Sequence, residues 1–426
     1  MMKSKLHFLL CVLTCYLSAI MLCPNLLAEQ SVTEGNSDQA KYPGFRITNG
    51  ADFVHIPIET HNNLILLPIQ INNTVSVNFI LDTGVKTTIL TEPLIADMLT
   101  LKRRGYIKIR GLGEGEPILA DIARDVKLNL SNSFVGEHLN MVVLPQNMVS
   151  FSEVFGRPVY GLIGYEVFKD YVVEISYSNK YIRLHKTKKY KPRGGYEEYP
   201  IMIDKAKPYI ETQVIYEDGR NFSKKLLLDT GASQAISIFE AGVELPKPNL
   251  STYLGKGITG EIHGHIARVE RIQLGKFAFD NVIVGYPEAT SLQLALNTHT
   301  WNGNLGAEIL KRFTVIFDYS RERLYLRKNW NYKRPFYYNV SGLEFLATGN
   351  KYDRVKICYI RPDSPADVAG LKVGDLLYSL NGLSLGDLSL DRAYEIFQRK
   401  VGSPVTFRVE RNGEIIRFRL RLEEEL

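Results

Sequence analysis

Cysteine is nearly missing from this chain of 426 residues: four in all, with Cys11, Cys15 and Cys23 near the start and Cys358 alone beyond them. No intramolecular disulfide can brace the remainder, so the fold must stand on an apolar core. A hydrophobic content of 45% supplies one, and the length predicts two or three domains. Histidine is sparse, and the only close pair, His263 and His265, has no Cys or carboxylate cluster beside it, so zinc-ligand spacing is absent and no metal site is expected. There is no Gly-x-Ser-x-Gly elbow and no Cys–His set to supply a covalent nucleophile. The net charge is +6, of which Lys3 and Lys5 supply two, too modest an excess to point to a nucleic-acid partner.

Long apolar runs are confined to the beginning. Met1 to Leu22 opens with Lys3 and Lys5, continues apolar, and is followed by Pro24 and the small residue Ala28. That is the layout of a signal peptide spanning residues 1–28, which implies export to a periplasmic or extracellular location. A retained membrane anchor and a lipid anchor at Cys23 are the alternatives; a cleaved signal implies no membrane partner, and only such an anchor would put the mature chain on a membrane. Residues 29–50, polar and rich in Ser, Asn and Gly, read as a flexible leader.

What the chain does have, it has twice. Ile80-Leu81-Asp82-Thr83-Gly84-Val85-Lys86-Thr87 and Leu227-Leu228-Asp229-Thr230-Gly231-Ala232-Ser233-Gln234 each end an apolar strand at a sharply turning carboxylate. Leu162-Ile163-Gly164 with Glu166, Phe168, Tyr171, Val173 and Tyr177 recurs as Leu305-Gly306 with Glu308, Leu310, Phe313, Val315 and Tyr319 at the same offsets. The Asp residues lie 147 positions apart and the glycines 142, so an internal duplication accounts for both. Two sibling halves can face each other across a pseudo-twofold axis. Two carboxyls brought together over low-dielectric walls cannot both ionise cheaply, so one holds a proton, and the pair offers an acid and a base at one pH.

These residues resemble the aspartic peptidases of the pepsin and retropepsin type, over about residues 51–330. The resemblance implies two β-barrel lobes, 51–190 and 191–333, with Asp82 and Asp229 as the catalytic pair activating a water. Gly84 and Gly231 let the two turns approach closely, and Thr83 and Thr230, by the resemblance, cross-link them through their hydroxyls. Ser233 is placed to hydrogen-bond the outer oxygen of Asp229. The second half departs from the apolar-apolar-Gly element at Asn304. Lys86 stands where Ser233 stands in the other half, and an ammonium close to Asp82 would unbalance a shared proton. It carries the alternative, a peptidase-shaped protein that binds peptide without cutting.

Arg110-Gly111-Leu112-Gly113-Glu114-Gly115 opens like a nucleotide-binding loop, but no helical period follows, so no dinucleotide and no cofactor is expected. It reads as a glycine-rich hairpin. The resemblance makes it a flap over the substrate, with Tyr106 its aromatic candidate, and the glycines Gly255, Gly257, Gly260 and Gly264 suggest a second flap. Lys186 to Gly195 reads as a charged linker between lobes.

From about residue 335 to 426 the duplication ends. Arg361-Pro362-Asp363-Ser364-Pro365-Ala366, Ala369-Gly370-Leu371-Lys372-Val373-Gly374-Asp375-Leu376-Leu377 and Asn381-Gly382 resemble a PDZ domain of the bacterial type. Such domains add an extended peptide to a sheet edge. Gly342, Leu343, Glu344 and Phe345 occupy the place of the loop that receives a terminal carboxylate, with Glu344 where glycine is usual. A negative side chain there opposes a carboxylate, so internal-peptide binding or pure scaffolding stands close behind capture of a C-terminus as the expectation. The expectation is therefore a mostly β exported endopeptidase acting on a peptide or protein substrate, with a PDZ domain that docks peptide or regulates access.

Overall fold

The computed structural model describes residues 21–22, 43–146, 150–239, 244–296, 301–384, 390–397 and 401–426. Apart from Met21–Leu22, the segment read as a signal peptide lies outside the described residues, as does the leader up to residue 42. The later part of that leader is not irregular: Gly44–Ile47 is a strand paired with Phe134–Val143.

The chain divides into two units. One contains residues 43–151 and 158–336; the other contains Ser152–Arg157 with Tyr337–Glu425.

The first unit is two β lobes. In each, a hairpin delivers a strand into the Asp turn: Leu64–Ile71 with Val75–Leu81, and Lys207–Ile215 with Asn221–Leu228. Asn72 and Asn73, both left-handed at φ 48° and 57°, form the turn of the first hairpin, which suits the tolerance of Asn for that region. A short strand then runs parallel beside the Asp strand, Gly161–Ile163 in the first lobe and Gly303–Leu305 in the second. Each sheet closes on itself, through Gln70↔Asn129 and Ile71↔Leu128 in one lobe and Val214↔Ile272 in the other. The duplication is thus a duplication of topology.

The lobes are joined by a six-stranded antiparallel sheet, in the order Glu197–Pro200, Arg323–Lys328, Phe313–Asp318, Tyr171–Ser176, Tyr181–Lys186, Phe53–Pro57. Its central pair matches Glu174 with Ile316 and Val173 with Phe317, equivalent strands meeting antiparallel, as a twofold axis requires. One continuous apolar core runs through both lobes. Phe79, Phe168, Phe313 and Phe317 are fully buried in it, each contributing on the order of 1.5–3 kcal/mol.

The second unit is a five-strand antiparallel path in the order Leu343–Thr348, Arg354–Ile360, Leu376–Leu380, Pro404–Arg411, Glu414–Arg421, with a short strand Leu383–Ser384 off it. Leu343–Thr348 is an edge strand, and the helix Leu390–Phe397 packs against it. Cys358 is buried here as a small apolar side chain.

Candidate active site

Each Asp turn is held from below by its own lobe. Asp82 N–H donates to Ile163 O (2.8 Å) and Asp229 N–H to Leu305 O (2.9 Å). Gly164 and Gly306 sit so tightly against the turns that an added Cβ would fall 2.0 Å from Asp82 O and 2.2 Å from Gln234 O. Only glycine allows this approach. Inside each turn, a backbone N–H fixes one carboxyl oxygen: Gly84 N to Asp82 Oδ1 (2.7 Å), Gly231 N to Asp229 Oδ1 (2.9 Å).

The two turns are then locked to each other. Thr83 Oγ1 donates to Leu228 O (2.6 Å) and accepts from Thr230 N (3.0 Å); Thr230 Oγ1 donates to Leu81 O (2.8 Å) and accepts from Thr83 N (3.1 Å). A Cβ on Gly231 would lie 2.3 Å from Asp82 Cγ, so the carboxyl of one half rests against the turn of the other. Both Asp side chains are fully buried. Burial, and then the charge of Asp229, push the Asp82 carboxyl well above the ordinary carboxylate range.

Around Asp229 the surroundings are different. Asn304 Nδ2 donates to Asp229 Oδ2 at 2.9 Å, and a hydrogen bond given to a carboxylate favours its charged form. Ser233 is half-buried in the same turn, and its carbonyl accepts from Asn63 Nδ2 (2.8 Å), tying the second lobe to the first. Lys86 is exposed, whereas both Asp side chains are fully buried. The lysine that does enter the site is one the motif did not indicate: Lys207, buried at 6% exposure, whose charge acts on both Asp82 and Asp229. Comparing the two halves strand by strand could have found it, since its counterpart is Leu64. The phenols of Tyr177 and Tyr319 are buried nearby and pushed up by burial, so they stay neutral.

The glycine-rich hairpin of the first lobe joins Arg103–Arg110 to Ile118–Ser131, and its counterpart in the second joins Asn249–Gly257 to Gly260–Leu274. Their tips meet. An added Cβ on Gly115 would fall 1.8 Å from Thr259 O, one on Gly257 1.8 Å from Leu112 O, and Thr259 Oγ1 donates to Leu112 O (3.0 Å). Tyr106 is not the flap's inward aromatic: it is 72% exposed, because an irregular register between Arg103 and Tyr106 turns it outward. The buried flap side chain is Leu112, packed with Phe239, Leu254, Ile262 and Leu292 of the second lobe.

In the second unit, Gly342 (φ 79°) has no room for a side chain, since an added Cβ would lie 2.2 Å from the Ser364 side chain. Leu343 and Phe345 point into the core. Glu344 turns inward, where Tyr394 OH donates to its Oε2 (2.8 Å) while accepting from Phe345 N–H (3.2 Å). The protein's own carboxylate therefore occupies the end of this strand edge, and burial lifts it to about 7.

Residues 67–167 match the family model described as aspartyl protease, and residues 356–411 that of a PDZ domain. Among solved structures, one similarity is to a photosystem II D1 C-terminal processing protease, at 25% identity and a TM-score of 0.18, covering 19% of this chain and 22% of that chain. The present chain thus spans about a fifth of that protein. Another is to the aspartic proteinase from Irpex lacteus, at 12% identity and a TM-score of 0.39, covering 66% of this chain and 99% of that one. Comparison with curated proteins gives no match. With the doubled Asp-Thr-Gly turns inside a mostly β fold, the matched segments identify a chain that carries an aspartyl protease domain followed by a PDZ domain.

Proposed function

We propose that the protein is an exported aspartic endopeptidase that cuts extended peptides with a water activated between Asp82 and Asp229, its PDZ domain docking peptide or regulating access. The observation that carries this reading is the reciprocal Thr83–Thr230 lock, which holds a carboxyl from each half in one buried site. Asp229, supported by Asn304, is the base that takes the water's proton. Asp82, kept protonated, donates to the scissile carbonyl oxygen as the carbon becomes tetrahedral. Closed flaps exclude bulk water, so the proton passes between fixed groups in a low-dielectric setting. Substrate entry requires the flap tips to part.

The PDZ domain, in this reading, takes an internal extended segment along Leu343–Thr348, because Glu344 and Tyr394 fill the position a terminal carboxylate would need.

The test is cleavage of a peptide library by the mature protein from acidic to neutral pH, beside Asp82→Asn and Asp229→Asn. Cleavage by the parent and at least a hundredfold less by either variant supports the reading. A parent protein that binds peptides as well as both variants do, and cuts none, overturns it in favour of a peptide-binding scaffold.

A further inference from the structure

Sheet register places Lys207 beside the catalytic pair. In the second lobe the ladder runs to Tyr209 paired with Leu227; continued by two residues, the same antiparallel register would set Lys207 across from Asp229, whose charge acts on it together with that of Asp82. Residues directly opposite in such a pair share a face, with Cβ atoms about 4.5–5.5 Å apart. In the first lobe Leu66 pairs with Ile80, and the same extension sets Leu64, fully buried, across from Asp82. One half thus meets its aspartate with a hydrocarbon, the other with an ammonium.

The ammonium is built in, not stranded there. Lys207 is buried, and its Nζ makes no hydrogen bond and lies 5.8 Å from the centroid of the Trp301 ring. The turn leading into it, Lys205-Ala206, is left-handed at both residues (φ 49° and 73°), where the first lobe uses Asn62-Asn63. Lys and Ala gain nothing in that region, and each costs roughly 1–2 kcal/mol there. A buried, unpartnered cation is itself unfavourable unless opposite charge stands near. The charged groups acting on Lys207 are Asp82 and Asp229 from the two turns and Lys205 from its own. Tyr209, Tyr177 and Tyr319, also near the pair, are neutral phenols.

We propose that Lys207 is a third charged member of this site: a positioning residue whose ammonium holds the Asp82–Asp229 pair in its singly protonated, singly charged form. The inference rests on the hydrolase reading for its purpose, though not for its physics. With Lys207 charged, a pair carrying one proton and one negative charge makes a buried site of zero net charge. Burial draws the Lys207 ammonium down to about 8 while both carboxylates hold it up, so it remains cationic at neutral pH and below. Without it, the same monoanion would sit uncompensated in a low-dielectric site, and both protons of the pair would be held more tightly.

The experiment is a ¹³C titration of the Asp82 and Asp229 carboxyls in the full chain for the parent, K207M, K207L and K207R, with peptide hydrolysis measured over the same pH range. Because the two sites are coupled, apparent constants of the pair are compared. K207M and K207L are expected to move both apparent values upward by about one unit or more, a tenfold drop in ionised fraction at fixed acidic pH. K207R, which keeps the charge, stays within about half a unit of the parent. Linkage supplies a second readout should the neutral variants not fold: Asp229→Asn must lower the titration of Lys207 Nζ, followed by ¹⁵N. Unmoved carboxyl titrations in K207M, or an equal shift in K207R, overturn the proposal, as does an unmoved Lys207 in Asp229→Asn. Expected titrations in a protein that cuts nothing would uphold Lys207 and remove the hydrolase reading; cleavage with unmoved titrations would do the reverse.

Discussion

The reciprocal lock makes Thr83→Val the most informative perturbation of the fold around the site. Valine keeps the shape of threonine and deletes only the hydroxyl, which both donates to Leu228 O and accepts from Thr230 N. Both interactions are fully buried, so the deletion leaves a backbone N–H without its acceptor and a carbonyl without its donor. Each such loss costs about 1–3 kcal/mol, giving about 2–6 kcal/mol for the variant. Thr83→Ser retains the hydroxyl and should cost under about 1.5 kcal/mol, the value of a buried methyl group. The assay can be specific to the right unit: both tryptophans of the chain, Trp301 and Trp330, lie in the two-lobed unit, so intrinsic fluorescence during denaturant unfolding follows its transition. Because the lock also fixes how the carboxyls meet, Thr83→Val should lower kcat at least tenfold while Thr83→Ser stays within a few-fold. A valine variant within about 1 kcal/mol of the parent would refute the reasoning. So would a serine variant as damaged as the valine one.

Asn304→Leu, which copies the first lobe's Leu162, removes the donor to Asp229 Oδ2. A hydrogen bond to a charged group is worth about 1.5–3 kcal/mol, so the acid limb of the hydrolysis profile should move up by about one to two pH units; an unmoved limb would remove Asp229 from the role of base. Glu344 titrates near 7 in the folded state against 4.5 for the free side chain, so the native state binds the proton more tightly, and stability is lost as pH rises from about 4.5 through 7. Glu344→Gln should therefore stabilise the PDZ unit by about 2 kcal/mol above pH 7, allowing for partial exposure, and by little below pH 4.5; a gain independent of pH would count against the buried carboxyl.

Much of this architecture was legible because duplication makes weak signals corroborate one another. Asp-Thr-Gly alone says little, but two copies with Gly164 and Gly306 at matched offsets required both turns and the glycines under them, and in the fold all four are packing elements. Turn chemistry was equally readable at Asn72-Asn73. Side-chain direction was not. Tyr106 lies on the flap strand, but an irregularity in pairing turned it outward and left Leu112 as the buried contact. Gly44–Ile47 has a polar, glycine-bearing neighbourhood that reads as leader, and it becomes a strand only because the edge of Phe134–Val143 is there to pair with it. Lys207 stayed hidden for a related reason: a lysine at the start of a strand is ordinarily solvated, and its burial beside the Asp pair depends on how two strands come together.

The departures from symmetry are not scattered. Where the halves differ beside the Asp turns, the first lobe presents Leu64 and Leu162, both fully buried, and the second presents Lys207 and Asn304. Lys86, the departure that seemed threatening, is exposed, while Ser233 opposite it in the repeat is half-buried. Hydrocarbon therefore stands on the first lobe's side of the pair, while the second lobe supplies a donor to Asp229 and a cation whose charge acts on both aspartates. Two identical carboxyls on a twofold axis would share their proton with no preference, each acid and base half of the time. Apolar walls favour the neutral form of a carboxyl, and donors and cations favour the charged form, so in the proposed hydrolase reading these are the diverged positions that would set which aspartate gives a proton and which takes one.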